Sequence, residues 1–92
     1  MKSILQKEKE CYYCKTTLNL EEHHCLYGTA NRRRAERFGL KVWLCSEHHR
    51  GRNGVHGGNK YLDIKLKQLA QSKFEKTHTR EDFIKIFGKN YL

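Results

Sequence analysis

Two pairs of soft metal ligands are the most informative residues of this sequence. Cys11 and Cys14 form the first pair, Cys45 and His48 form the second, and 30 residues separate them. Each pair encloses two residues, a spacing that lets one short turn present both side chains to a single ion. A Cys₃His set fills the tetrahedral coordination sphere of Zn²⁺, so the spacing predicts a structural zinc site.

Other uses of the cysteines remain open at this point. Cys25 is a competing fourth ligand, but it lacks the paired spacing that favours His48. Four cysteines also allow two disulfides, or thiols buried in a core without any ligand. The first residues turn charged at once and contain no apolar signal segment, so we expect a reducing, cytoplasmic location and a metal site.

Three further histidines lie close to the cysteines in sequence: His23 and His24 precede Cys25, and His49 follows His48. They indicate a second site, which is chemically open. Because successive side chains of a strand point to opposite faces, His23 and His24 should face opposite ways.

The elements that must position these residues follow from periodicity and turn signals. Residues 1–10 are polar, with only Ile4 and Leu5 as apolar anchors, and predict a frayed tail or a short helix. The pattern then predicts a strand over 22–27 and a helix over 29–39, with Thr29 as its N-cap and Gly39 as its stop. A second strand over 41–44 should pair antiparallel with the first, and a short helix should begin at Cys45.

Apolar residues at helical spacing predict an amphipathic helix from Asn59 to Phe74. Its core stripe consists of Leu62, Leu66, Leu69, Ala70 and Phe74. Thr79 and Asp82 resemble a capping box that opens a last helix, and Gly88 stops it. We expect one α+β domain over 1–92, with a zinc-bound core over 11–58 and C-terminal helices over 59–92.

Composition narrows the class of partner. The net charge is +9 in 92 residues, which indicates a polyanion and most commonly a nucleic acid. The mean hydropathy of −0.91 is lean for a self-sufficient core, so a metal would add needed stability. No apolar run approaches the length of a membrane span, so we expect no membrane partner.

The order of these features resembles the HNH endonucleases, the ββα-metal family built on a treble-clef zinc site. The similarity covers residues 11–49, with 51–56 as a looser extension. It looks especially like short bacterial and prophage HNH proteins, in which the runs HHCLYGTANRR, GLKVWLCSEHHRG and GVHG and the ending FIKIFGKNYL would be at home. The resemblance implies a zinc-bound β-hairpin followed by a helix.

The resemblance also implies roles for the histidines. His24 would be the general base, and His23 and His49 would hold a catalytic divalent cation. Asn53 and His56 are weaker candidates for a third ligand or a phosphate contact. The middle Asn of the family is missing before the second strand, and Asn31 is the candidate to replace it. We leave the cation open among Mg²⁺, Mn²⁺, Ni²⁺, Co²⁺ and Zn²⁺, although imidazole suits the last four better.

The implied activity is hydrolysis or nicking of DNA, most readily double-stranded DNA, leaving 5′-phosphate and 3′-hydroxyl ends. Six arginines would contact backbone phosphates: Arg32, Arg33, Arg34, Arg37, Arg50 and Arg52. The alternatives are a zinc-stabilised nucleic-acid-binding module without catalysis and, third, a zinc domain that binds proteins.

Overall fold

The computed structural model describes all 92 residues as a small α+β fold with one two-stranded antiparallel sheet and four helices. In chain order the elements are β1 (Leu20–His24), α1 (Thr29–Phe38), β2 (Lys41–Cys45), α2 (Ser46–His49), α3 (Lys60–Phe74) and α4 (Arg80–Phe87). None of these helices has the length and apolarity that crossing a bilayer would need.

The sheet pairs Leu20 with Cys45 at one end and His24 with Lys41 at the other. The antiparallel pairing is confirmed, but β1 runs over 20–24 instead of 22–27. Its partner explains the difference, because β2 begins at Lys41 and leaves nothing for residues beyond Cys25 to pair with. One further backbone bond, from the Cys25 N–H to the Leu40 carbonyl, precedes the turn into α1.

Helix α1 begins one residue earlier than the cap assignment predicted. Thr29 is its first helical residue and not its N-cap, which is Gly28 at φ 98°. Gly39 ends the helix in the left-handed conformation, as predicted. A Cβ at Gly39 would collide with the carbonyl oxygen of Lys2, so this position needs glycine for space as well as for its φ of 70°.

The prediction for residues 1–10 is wrong, because they form neither a helix nor a frayed tail. The segment lies along the free edge of β2. The Ile4 N–H donates to the Gly39 carbonyl at 2.9 Å, and the Trp43 N–H donates to Oε1 of Gln6 at 2.8 Å. The Tyr12 N–H donates to the Trp43 carbonyl at 2.8 Å. A two-stranded sheet leaves each strand one open edge, and this segment satisfies that of β2.

The core lies between the sheet and the C-terminal helices. The predicted stripe on α3 is confirmed at Leu62, Leu66, Ala70 and Phe74, which are buried, while Leu69 packs half-buried against them. Phe38 of α1 meets Phe74 and Phe87 edge-on. The capping box of α4 is also present, with Thr79 and Asp82 each bonding the other's backbone.

Candidate metal centres

The first site joins the two predicted ligand pairs. Cys11 and Cys14 lie on a tight turn, Cys45 ends β2, and His48 lies on α2. Their ligand atoms all lie within 4.8 Å of one another, so the four residues could hold a metal ion. All four cysteines of the chain are free thiols. The Cys14–Cys45 sulfur separation of 3.8 Å is far from the ~2.05 Å of a disulfide.

The donor set and its spacing fit a tetrahedral ion such as zinc. Two thiolates on one zinc lie about 3.8 Å apart, and a thiolate and an imidazole nitrogen about 3.6 Å apart, given the usual bond lengths. Nδ1 of His48 lies 3.2 Å from the Cys45 sulfur and 3.9 Å from the Cys11 sulfur. Burial opposes a thiolate at Cys11, but backbone N–H groups of Cys14, Cys45 and Tyr13 outweigh it and lower its pKa to about 6.

Cys25 does not belong to this cluster. It is fully buried in the core, where burial raises the pKa of its thiol well above the ordinary value. The four ligand atoms that lie together are those of Cys11, Cys14, Cys45 and His48, so His48 and not Cys25 completes the set.

The second site brings together His23 of β1, His49 of α2 and His56 of the following loop. Their ring centroids lie 4.9–5.3 Å apart, and their ligand nitrogens lie within 4.8 Å. His23 is 1% exposed, and its Nε2 is buried without a hydrogen-bond partner. Burial, with His49 and His56 nearby, lowers the pKa of His23 to about 3, so its imidazole is neutral at pH 7. A buried imidazole nitrogen with no partner is unusual, and a bound cation would satisfy it.

His56 reaches the cluster because the loop after α2 folds back on that helix. The His56 N–H donates to the His49 carbonyl at 2.9 Å, and the Val55 N–H donates to the His48 carbonyl at 3.0 Å. A Cβ at Gly54 would come within 2.7 Å of the His49 carbonyl group, so the fold needs a glycine there.

Asn53 does not join the ligands. Its predicted place one turn beyond His49 required α2 to continue, but α2 ends at His49. The Asn53 backbone N–H donates to Oε2 of Glu47 instead, at 3.0 Å.

Glu21 holds His49 in position. Nδ1 of His49 lies 2.7 Å from Oε1 of Glu21, which leaves Nε2 of His49 for the cluster. Arg50 pairs with the same carboxylate at 2.6 Å. The hydrogen bonds from Arg50 and His49 lower the pKa of Glu21 to about 2. Arg50 therefore pairs with this carboxylate while its side chain remains 70% exposed, and its phosphate contact stays a prediction.

His24 lies beside the cluster and is held by a different carboxylate. Its Nε2 lies 2.7 Å from Oε1 of Glu36 on α1. The hydrogen bond from His24, with those from the Met1 amino group and Lys41, lowers the pKa of Glu36 far below its usual range. An ionised carboxylate only accepts, so Nε2–H of His24 is the donor, and in the neutral form of the ring Nδ1 carries the lone pair.

Asn31 does not replace the missing middle Asn. Its side-chain amide donates to the Phe87 carbonyl at 3.2 Å, which ties α1 to α4 and not to His24. The side chain that contacts the His24 ring is instead Glu36, at 2.7 Å.

Glu22, His24 and Glu36 are close enough to form a third candidate metal group. The ammonium of Lys41 already lies 3.3 Å from Glu22 and 2.9 Å from Glu36. Burial opposes this charge, but the hydrogen bonds of Glu36 and Glu22 outweigh it and raise the pKa of Lys41. Lys41 thus supplies the positive charge, and the group has no need of a metal.

The six predicted arginines divide by position. Arg32 and Arg33 line a depression beside His24, and Arg32 also borders the three-histidine cluster. Arg34 donates to the Ile86 carbonyl at 3.0 Å, away from that surface. Arg37 and Arg52 are exposed but line neither depression.

Neither a protein-family model, nor a curated protein, nor a solved structure matches this chain.

Proposed function

We propose that this protein is a metal-dependent endonuclease or nickase of the HNH type, which hydrolyses phosphodiester bonds of double-stranded DNA. One observation carries the proposal. A cluster of three imidazoles, including a buried His23 nitrogen without a partner, lies next to a histidine that a carboxylate holds with one nitrogen free. The three-histidine cluster is suited to binding a cation, and His24 is suited to accepting a proton.

The four-residue cluster is proposed as a structural zinc site in a treble-clef, ββα-metal arrangement. Three thiols and an imidazole are ligands that select zinc, and four protein donors leave no position for a substrate. The support is the donor set, its separations, and its place at the junction of the knuckle, β2 and α2.

His23, His49 and His56 would hold the catalytic cation. Three imidazoles favour Mn²⁺, Co²⁺, Ni²⁺ or Zn²⁺ over Mg²⁺, which prefers oxygen ligands. When bound, such a cation supplies a Lewis acid for the phosphoryl oxygen and the leaving 3′ oxygen.

His24 is proposed as the general base. Its Nδ1 would accept a proton from the water that attacks phosphorus, because Nε2 is committed to Glu36. The resulting imidazolium would lie against an ionised carboxylate, which stabilises it. Arg32 and Arg33 border the same depression and would bind the phosphates next to the scissile bond.

The test is cleavage of supercoiled plasmid by the wild type and by His24→Ala, each with Mg²⁺, Mn²⁺, Ni²⁺, Co²⁺ and Zn²⁺. We expect His24→Ala to lose about 10²–10⁴ in rate. Its DNA affinity and zinc content should remain near those of the wild type, because a base acts in the transition state. His49→Ala should also be inactive, but excess Mn²⁺ or Ni²⁺ should restore part of its activity.

A matched control is His78→Ala. His78 is exposed and stacks on Phe74 at 4.3 Å, and it contacts none of the three clustered histidines. Its loss should therefore leave cleavage unchanged. Equal rates for His24→Ala and the wild type with every cation would refute the role of His24. A wild type that binds DNA but cuts with no cation would be the non-catalytic binding module.

A further inference from the structure

The surface around His24 continues beyond the predicted arginines. Three neighbouring depressions share Glu22 as a lining residue. The first contains the three-histidine cluster, and the second contains His24 with Arg32 and Arg33. The third lies between β2 and the N-terminal segment and is lined by Lys2, Lys7, Lys41 and Trp43 among others. Glu22 and His24 therefore lie between two positively charged sides.

The N-terminal side is built on a fixed backbone. Ser3 donates its hydroxyl to the Lys41 carbonyl, and its Oγ accepts from the N–H groups of Leu5 and Gln6. Together with the bonds of Ile4 and Gln6 to the edge of β2, these contacts hold residues 3–6 against the sheet.

The lysines on this segment are free to bind a ligand. Lys2 and Lys7 are exposed and form no ion pair, while Lys9 lies over the Trp43 ring at 4.6 Å. The two acidic residues of the segment, Glu8 and Glu10, do not line the depression, and Glu10 pairs with Lys15 at 3.7 Å. The carboxylate that does line it, Glu22, lies 3.3 Å from the ammonium of Lys41.

The arginines alone supply charge on only one side of His24. Arg34 and Arg50 are committed to the Ile86 carbonyl and to Glu21, as described above. A nucleic-acid strand that passes His24 has phosphates on both sides of the scissile bond, and lysines or arginines within reach of them add affinity through counterion release.

We propose that the N-terminal segment is the second half of the DNA-binding surface. Lys2 and Lys7 bind backbone phosphates on one side of the scissile bond, and Arg32 and Arg33 bind those on the other. Trp43, which lines the same depression, lies next to the bound DNA. This inference rests on the proposed action on DNA, but it does not require cleavage.

The test measures binding of a fluorescein-labelled 20-base-pair duplex by anisotropy over a range of salt concentrations, without a catalytic cation. The variant is Lys2→Ala/Lys7→Ala, and the control is Lys76→Ala/Lys85→Ala, which removes the same charge from exposed residues that line none of the three depressions. Circular dichroism checks that each variant is folded.

We expect the Lys2/Lys7 variant to bind roughly ten-fold or more weakly at 0.1 M salt, with a log–log salt slope smaller by about 1.8 because two fewer counterions are released. The control should change both quantities much less. Since Trp43 is the only tryptophan, its emission should change when unlabelled duplex binds the wild type.

Two results would overturn the inference while the proposed function stands. One is a Lys2/Lys7 variant that matches the Lys76/Lys85 control in affinity and slope. The other is DNA binding that leaves Trp43 emission unchanged. A wild type that binds no DNA at any salt concentration would instead overturn the proposed function, and this inference with it.

Discussion

His24 and His49 each give one ring nitrogen to a carboxylate, which leaves the other nitrogen free for chemistry. Glu36 holds Nε2 of His24, and Glu21 holds Nδ1 of His49, both at 2.7 Å. Such partners fix the tautomer and the orientation of an imidazole, and they raise its basicity. The two carboxylates thus leave opposite nitrogens free: Nδ1 in His24 and Nε2 in His49.

Replacing Glu36 by Gln should slow catalysis and leave substrate binding intact. The amide can still accept from Nε2–H, but it cannot stabilise the imidazolium that forms on proton transfer. We expect kcat to fall about 10–100-fold with little change in KM, a part of what a general base contributes. Steady-state cleavage of an oligonucleotide duplex measures both constants.

Glu22→Gln is the matched control for that variant. Glu22 shares the Lys41 contact but has no hydrogen bond to His24, so the Glu22→Gln variant should lose much less in kcat than the Glu36→Gln variant. Glu36→Asp keeps the charge on a shorter side chain and should recover part of the lost rate. If Glu36→Gln retains the wild-type kcat, the carboxylate serves only to pair Lys41.

Local sequence rules predict some of these site residues and not others. The period of two in a strand separated His23 from His24, and the same rule places Glu21 on the face of His23, so Glu21 could have been found. Glu36 could not, because its contact with His24 depends on how α1 docks against β1. His56 is similar, since only the fold of the glycine-rich loop brings it to His49.

At the scale of elements, the site is built from pieces too short to be stable alone. Each strand has five residues and α2 has four. An isolated two-stranded sheet and a helix below about 12 residues are marginal in water. The four-residue cluster links the knuckle, the end of β2 and α2, so a metal there would hold together the elements that also carry the histidines.

Removal of zinc should therefore disorder this part of the fold. We expect a strong chelator, or Cys45→Ser, to abolish the near-ultraviolet dichroism of Trp43 and to remove the cooperative thermal transition. Structural zinc contributes about 10–16 kcal/mol in small zinc-finger peptides, as much as the whole stability of a typical domain. Zinc content and dichroism are measured on the same samples.

Cys25→Ala separates loss of a ligand from loss of a buried cysteine. Cys25 is fully buried but lies outside the cluster, so this variant should keep one tightly bound zinc and a cooperative transition at a somewhat lower temperature. A Cys45→Ser protein that unfolds at the wild-type temperature would contradict the structural role of the metal.

Element prediction succeeded where the signal was local. The apolar stripe predicts α3 and the Thr79–Asp82 capping box predicts the start of α4, because periodicity and capping depend only on neighbours in sequence. The N-terminal segment carries no such signal. Its order comes from the edge of β2, more than 30 residues away in sequence, and from the space that Gly39 leaves beside Lys2.

At the scale of the whole molecule, a chain of net charge +9 is held together partly by its few carboxylates. Glu21 joins β1 to α2 through His49 and Arg50. Glu36 joins α1 to β1 through His24 and to β2 through Lys41. Both carboxyls therefore have folded-state pKa values below the ordinary value of 4.5.

This arrangement predicts a loss of stability in acid that can be assigned to Glu21. A carboxyl with a lowered folded-state pKa stabilises the fold above its unfolded pKa of 4.5, and that contribution is lost as the pH falls toward about 2. Because Glu21 is partly exposed, we expect about 1 kcal/mol, or roughly 4–8 °C in Tm, between the wild type and Glu21→Gln at pH 7. The gap should narrow as the pH falls below 4.5, because the carboxyl of the unfolded chain then takes up a proton while that of the folded protein stays ionised down to about 2. Acid also releases metal from thiolates, but both proteins share that loss, so the difference between their melting curves isolates the carboxyl. A gap that stays constant from pH 7 to pH 3 would show that the charge of Glu21 does not stabilise the fold.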